Sequence, residues 1–225
     1  MMPAFMAASK IKVFETKDSG DIEQAIHVIS VAVENDPNKV YYFPDREDRA
    51  KHTKFMVEKL FRSSEKDNRV IIGKVGSQVV GSSMWFPPGY QISYTSLIRN
   101  GLLKTPFLFG LGAFIKMIQS LSIADKGRAE VTGDVKHWQL FYIGVHPDHQ
   151  NKGYGAQLLA PVLKESDKTG VPILLENFTD ANTRFYERNG FEVKSRFRFD
   201  ENTHMRYMVR HPGAAFKKIP HKKGK

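Results

Sequence analysis

The chain has 225 residues, 41% of them hydrophobic and 26% charged, with 17 glycines, 11 prolines and no cysteine. That composition excludes collagen-like, mucin-like and wholly disordered chains, and a single domain of this length buries about 70% of the surface its unfolded form exposes. Without cysteine there is no disulfide, thiolate zinc site, iron–sulfur cluster or cysteine nucleophile. The chain suits a reducing compartment, and a cytoplasmic location is expected.

Basic residues number 34 against 24 acidic ones, a formal charge of +10. Half of that excess lies at the end, where His211 to Lys225 holds Lys217, Lys218, Lys222, Lys223 and Lys225 and no acid. Residues 1–210 therefore read as one domain and residues 211–225 as a basic, flexible tail. A solvated end is favoured over a nucleic-acid or membrane patch, so neither nucleic acid nor a membrane is expected as a partner. The remaining basic bias of the body suits anionic ligands, including phosphorylated cofactors. Met1 to Lys10 is apolar but short and lacks a basic start, which does not fit a secretory signal.

In chain order, Ile11 to Glu15 reads as a strand, followed by a helix capped by Asp18 or Ser19 that carries Ile22, Ala25, Ile26, Ile29 and Val33 on one face. Asp36-Pro37 ends that helix, VYYFPD reads as an aromatic loop, and Asp45 opens a second helix. RVIIGKV and QVVGSSMWF, joined at Gly76-Ser77, form a predicted hairpin. Leu97 to Leu121 is rich in Leu and Phe, but Arg99, Lys104 and Lys116 interrupt it and Pro106 with three glycines breaks it. It falls short of the ~20 apolar residues of a spanning helix. Helices inserted at about 90–130, packed on the body or walling a substrate site, account for it better, followed by polar DKGRAEVTGDVK. Strands are then expected over His137–Val145, Val171–Leu175, FEVKSRFRF and HMRYMVR, with helices from Gly155 to about Lys168 and from Asp180 to Arg188. The result is a mixed sheet with helices on its faces.

The informative turn is Val145 to Leu159, VHPDHQNKGYGAQLL. A buried strand runs into Gly153 and Gly155, where a helix starts, so several backbone N–H groups and the positive helix end converge on one spot beside Lys152. In physical terms that is a cradle for a diphosphate. It has neither the Walker spacing nor the dinucleotide fingerprint. A second segment, Leu174 to Val193, ends a strand at Glu176 and carries Phe185-Tyr186 ahead of Gly190-Phe191.

Together these segments resemble the GNAT family of N-acetyltransferases. Val145, Pro147, Gln150, Gly153 and Gly155 match its V-x-P-x-x-[QR]-x-x-G-x-G hallmark, and Phe185, Tyr186, Gly190 and Phe191 match its F/L-Y-x-x-x-G-F landmark. Within the family, the stretch from His137 to Phe191 is most similar to the puromycin N-acetyltransferase branch, while the front half is much less alike. The resemblance implies a mostly antiparallel α/β sheet of about seven strands, flanked by helices and splayed between the fourth and fifth. Acetyl-CoA, as co-substrate, would lie in that gap.

By the same resemblance, Ile143, Gly144 and Val145 would meet the pantetheine arm. Gln150, Asn151, Lys152, Gly153, Tyr154, Gly155 and Ala156 would hold the diphosphate. Where family members often carry an Asn contact seven residues before the Tyr, this chain has Thr179, with Asn182 as the substitute. Tyr186 would protonate the leaving thiolate, and Glu176 would deprotonate the amine directly or through water. Tyr41, Tyr42, Phe43 and Trp85 are candidates for the acceptor side. The eight histidines show no metal-ligand spacing, so no metal is expected.

The favoured activity is acetyl transfer to a primary amine of a small molecule by direct attack in a ternary complex. The helical insert would cap a compact pocket better than an open peptide groove. Protein or peptide N-acetylation and a non-catalytic CoA-binding module are the alternatives, and a homodimer is left open.

Overall fold

The computed structural model describes residues 11–90, 104–198 and 203–215. The opening ten residues, residues 91–103 of the expected insert and the lysine-rich end lie outside the described residues.

A seven-stranded sheet organises the chain. Its strands are β1 (Lys12–Thr16), β2 (Arg69–Val75), β3 (Gln78–Phe86), β4 (Trp138–Val145), β5 (Ile173–Asn177), β6 (Glu192–Arg198) and β7 (His204–Arg210), in the spatial order β1-β2-β3-β4-β5-β7-β6. Every neighbouring pair is antiparallel except β4 and β5, which run parallel. The expected fold class is the one observed.

Helices α1 (Ser19–Val33) and α3 (Arg46–Ser63) start where the side chains of Asp18 and Asp45 accept from the amides of Asp21 and Asp48. Such caps satisfy orphan helix donors at about 1 kcal/mol each. Ala25, Ile26 and Ile29 of α1 and Val57 and Phe61 of α3 pack with Val70, Ile72, Met84 and Phe86 on one face of the sheet. On the opposite face, α6 (Tyr154–Thr169) sets Leu158, Leu159, Val162 and Leu163 against Ile71, Trp85, Leu140, Ile173 and Leu175. Strand β3 is covered from both sides, so its run of buried residues does not alternate.

Two readings of local structure are corrected. The segment taken as an aromatic loop begins inside a helix, α2 (Pro37–Tyr42), whose Pro37 stands in the first turn, where its missing N–H removes no helix bond. In the insert the break falls at Gly110, one of the three glycines expected to cause it, with φ of 80°, whereas Pro106 breaks nothing and lies in the first turn of the short helix α4 (Thr105–Phe109). Helix α5 (Leu111–Thr132) then runs straight through the stretch read as polar and ends at Gly133.

Helix α5 covers the half of the sheet that α1 and α3 leave bare. Ile123, Ala124 and Val131 pack on Leu174, Met205, Tyr207 and Val209. Gly127 makes this possible, because a Cβ there would come within 2.5 Å of the Tyr207 ring. The Tyr207 hydroxyl donates to the Ala124 carbonyl at 3.0 Å and fixes the register.

Candidate active site

Strands β4 and β5 touch along only part of their length. Trp138, Gln139 and Leu140 pair with Ile173, Leu174 and Leu175. Beyond that, Tyr142 to Val145 pair with β3 alone, and Glu176 and Asn177 pair with β7 alone. The sheet therefore opens where β4 ends. Gly144 draws β4 toward α1 on this side, since a Cβ there would lie 2.6 Å from that of Ala32. The opening holds a cleft of about 80 Å³ whose walls include Asp36, Lys39, Tyr142, Ile143, Glu176, Asn182 and Tyr186.

At one end of the opening the chain passes through a short 3₁₀ turn (Pro147–His149) into the loop 150–153. Asn151 and Gly153 both take left-handed backbone, with φ of 61° and 76°. Gln150 is pinned by donating its side-chain amide to the Val145 carbonyl at 3.0 Å, and Lys152 reaches the Asp148 carbonyl at 3.2 Å. Helix α6 follows without a side-chain cap, in contrast to α1 and α3, so its first-turn amides stay available to an anion. A Cβ on Gly153 would meet nothing within 4 Å, and one on Gly155 would approach the Phe185 ring at 3.2 Å. These residues fit a diphosphate: left-handed loop, uncapped amides and open space beside them.

Helix α7 (Asp180–Arg188) carries Tyr186 and Asn182 to the cleft. Thr179, which stands where an Asn contact was anticipated, caps this helix by accepting from the Asn182 amide at 3.0 Å. Tyr186 is packed edge-on against Phe185 and Phe191, and burial, with the negative Asp36 adding to it, pushes its phenol well above the ordinary value. It keeps its proton throughout the physiological range.

Glu176 also faces the cleft, but it is not free. Its Oε1 accepts from Arg128 Nη1 at 3.1 Å across from helix α5, and Arg128 in turn holds Asp125. Burial raises the carboxyl above its usual range, and Arg128 pulls it part of the way back. Nothing in the linear pattern pointed to Arg128. Its only signal was a lone Arg on an insert helix 48 residues upstream.

The aromatic candidates divide. Tyr42 is buried beside Ser120, and Tyr41 receives the Lys116 ammonium on its carbonyl at 3.1 Å and over its ring. Phe43 packs tilted against His52 and edge-on against Phe109, fastening α4 onto α3. Trp85 is placed away from the opening: it is fully buried under α6 and donates its indole N–H to Ser83 at 2.9 Å. Its neighbours Met84 and Phe86 face the other way, so strand alternation turned it into the core.

Asp36 and Lys39, which the sequence reading passed over, lie inside the cleft at the junction of α1 and α2. Burial raises the Asp36 carboxyl to about 6, moderated by Lys39. Lys39 is 4% exposed, and burial lowers its ammonium to about 8 against the opposing pull of Asp36. Its nearest ring neighbours are Tyr42 and Tyr142, each 5.9 Å from Nζ, and among the described residues it forms no hydrogen bond or ion pair.

Comparison with known proteins bears on this geometry. Residues 118–193 match the acetyltransferase (GNAT) domain family. An uncharacterized N-acetyltransferase of Schizosaccharomyces pombe is 30% identical over 151 residues, which are 64% of this chain and 61% of that protein. The chain thus spans about three fifths of this curated relative's length. A histone acetyltransferase and related acetyltransferase from Corynebacterium glutamicum superposes with a TM-score of 0.66 at 17% identity, covering 94% of this chain and 98% of that one. The Drosophila melanogaster polyamine N-acetyltransferase, which catalyses the formation of N-acetylagmatine, gives 0.62 at 13% identity, covering 90% and 100%. At such identities the likeness speaks for the fold, including the parallel β4–β5 pair.

Proposed function

From the GNAT-domain match and the opened sheet, we propose that this chain is an acetyl-CoA-dependent N-acetyltransferase acting on a primary amine of a small molecule. The observation that carries the reading is the divergence of β4 and β5 beyond Leu140 and Leu175, with the uncapped α6 N-terminus at its mouth. Ile143, Gly144 and Val145 form the stretch of β4 that has no strand partner on the β5 side, with the Val145 carbonyl taken by Gln150, and residues 150–156 offer amides to the diphosphate. Asn182 flanks the arm between them. When bound, acetyl-CoA supplies an acetyl group activated as a thioester.

An acceptor amine arrives as ammonium, since alkyl amines have pKa near ~10, and must lose a proton before it can attack. Two carboxylates face the cleft for that task. Glu176 is held by Arg128, while the Asp36 carboxyl has no hydrogen bond among the described residues and is raised to about 6, so it joins Glu176 as a candidate base. Tyr186 holds a proton for the departing sulfur.

A small cationic acceptor suits a cleft that presents two acids behind a helix-covered wall. The polyamine enzyme among the structural neighbours supports it. Acetylation of a protein or peptide is the second reading, supported by the histone-directed neighbour. Release of free CoA thiol from acetyl-CoA, measured across polyamines, agmatine, simple alkyl amines and peptides with free N-termini, separates the two. Turnover with small amines is expected. Turnover confined to peptides favours the second reading, and binding without turnover on any acceptor leaves a CoA-binding module.

A further inference from the structure

Lys39 is a primary amine that lies where the acceptor amine must come. It sits on the first turn of α2 and shares the cleft with Tyr186, Ile143, Asp36 and Glu176. Among the described residues no carboxylate or carbonyl bonds its Nζ, which meets the rings of Tyr42 and Tyr142 instead. Lys39 is only 4% exposed, and a charge so far withdrawn from water is costly, so proteins normally pair or neutralise such groups. Helix α2 could have turned a lysine to solvent, as it does the adjacent Val40, which is 41% exposed.

We propose that Lys39 is an internal acetyl acceptor, modified by the acetyl thioester bound in the same cleft when no external amine occupies it. The inference rests on the acetyltransferase reading above. Lys39 first releases one ammonium proton to water. The freed lone pair of Nζ attacks the acetyl carbonyl carbon, a C–N bond forms, the nitrogen passes a second proton to the Asp36 carboxylate, and the C–S bond breaks with its electrons leaving on sulfur. The thiolate takes a proton from Tyr186, and Asp36 returns a proton to the phenolate through the cleft. One neutral acetamide and one free CoA thiol result, with no oxidant or metal required. The depressed ammonium pKa supports the step, because an appreciable fraction of the amine is unprotonated at neutral pH. The product fills the cleft and removes its cation, so the modification is a brake on turnover that an external amine relieves by competing.

The test uses the full chain incubated with acetyl-CoA and no amine, followed by digestion and site mapping by mass spectrometry. The expected result is the mass gain of one acetyl group on Lys39, first order in protein, with a rate constant independent of protein concentration and at least tenfold larger than on exposed Lys51 and Lys54. Lys39→Arg should gain none at that position while still binding acetyl-CoA in calorimetry, and an added amine substrate should slow the wild-type modification. An unmodified Lys39 in protein that binds acetyl-CoA and acetylates an external amine overturns the inference alone, as does modification no faster than on Lys51 and Lys54. Absence of any calorimetric heat with acetyl-CoA overturns the acetyltransferase reading and this inference with it.

Discussion

Replacing Lys39 by methionine, which keeps the length of the side chain and removes its charge, should stabilise the fold. Burial lowers the Lys39 ammonium from the ordinary 10.5 to about 8, and at roughly 1.4 kcal/mol per pH unit the folded state bears about 3 kcal/mol for holding the charge. A group whose folded pKa lies below its unfolded value destabilises in its protonated form. The penalty is therefore full below about pH 8 and gone by about pH 10.5. Asp36 reduces the gain at neutral pH, because its carboxylate loses the Lys39 cation and is driven further above its present value of about 6. Below that value Asp36 is protonated and the offset disappears. Urea unfolding of both proteins at pH 5, 7 and 10 should show the largest gain at pH 5, on the order of 3 kcal/mol, a smaller one at pH 7, and little at pH 10. At neutral pH this corresponds to a rise in Tm on the order of 5 °C for a domain of this size. Equal stability at pH 5, or a gain that does not fade in alkali, would refute the claim that Lys39 is held buried without adequate partners.

Gly127→Ala should destabilise by about 1–3 kcal/mol, although alanine is the better helix former, because its Cβ collides with the Tyr207 ring. Gly112→Ala, on the same helix with nothing within 4 Å, should be neutral or slightly stabilising, and denaturant midpoints compare the two. Gly153→Val should cost the fold about 1–2 kcal/mol for left-handed backbone, yet lower acetyl-CoA affinity at least tenfold in calorimetry. Arg128→Met should destabilise by about 3 kcal/mol near pH 7, since it strands Glu176 as a buried, unpaired carboxylate. Losing its cation raises the Glu176 pKa further, so the loss should shrink as pH falls, and Glu176→Gln in the same chain should restore most of it. Tyr186→Phe should reduce kcat by about 10²-fold with unchanged acetyl-CoA affinity in steady-state assays and calorimetry.

Features set by neighbours in the chain were legible in the sequence. Asp18 and Asp45 cap the helices assigned to them, helix Asp180–Arg188 has its expected bounds, and Gly153 takes the left-handed turn its spacing called for. Helix α2 escaped notice because six residues hold too little periodicity to register, and its aromatic run imitates a loop. Trp85 misled for a related reason. On a strand covered from both sides, hydrophobicity does not say which way a side chain points. The electrostatics of the cleft were least legible. Asp36 and Lys39 look like ordinary helix-end charges until β4 and α7 close over them, and Arg128 gains meaning only once α5 docks and brings it to Glu176 across 48 positions. Those relations are tertiary, and no local pattern encodes them.

Isothermal titration of the full chain with acetyl-CoA tests the central claim most directly. Binding at a single site, weakened at least tenfold by Gly153→Val and left unchanged by Tyr186→Phe, is the predicted result. No heat at millimolar acetyl-CoA, or binding indifferent to Gly153→Val, would contradict the assignment of the opened β4–β5 sheet and the uncapped α6 turn as the acetyl-CoA site.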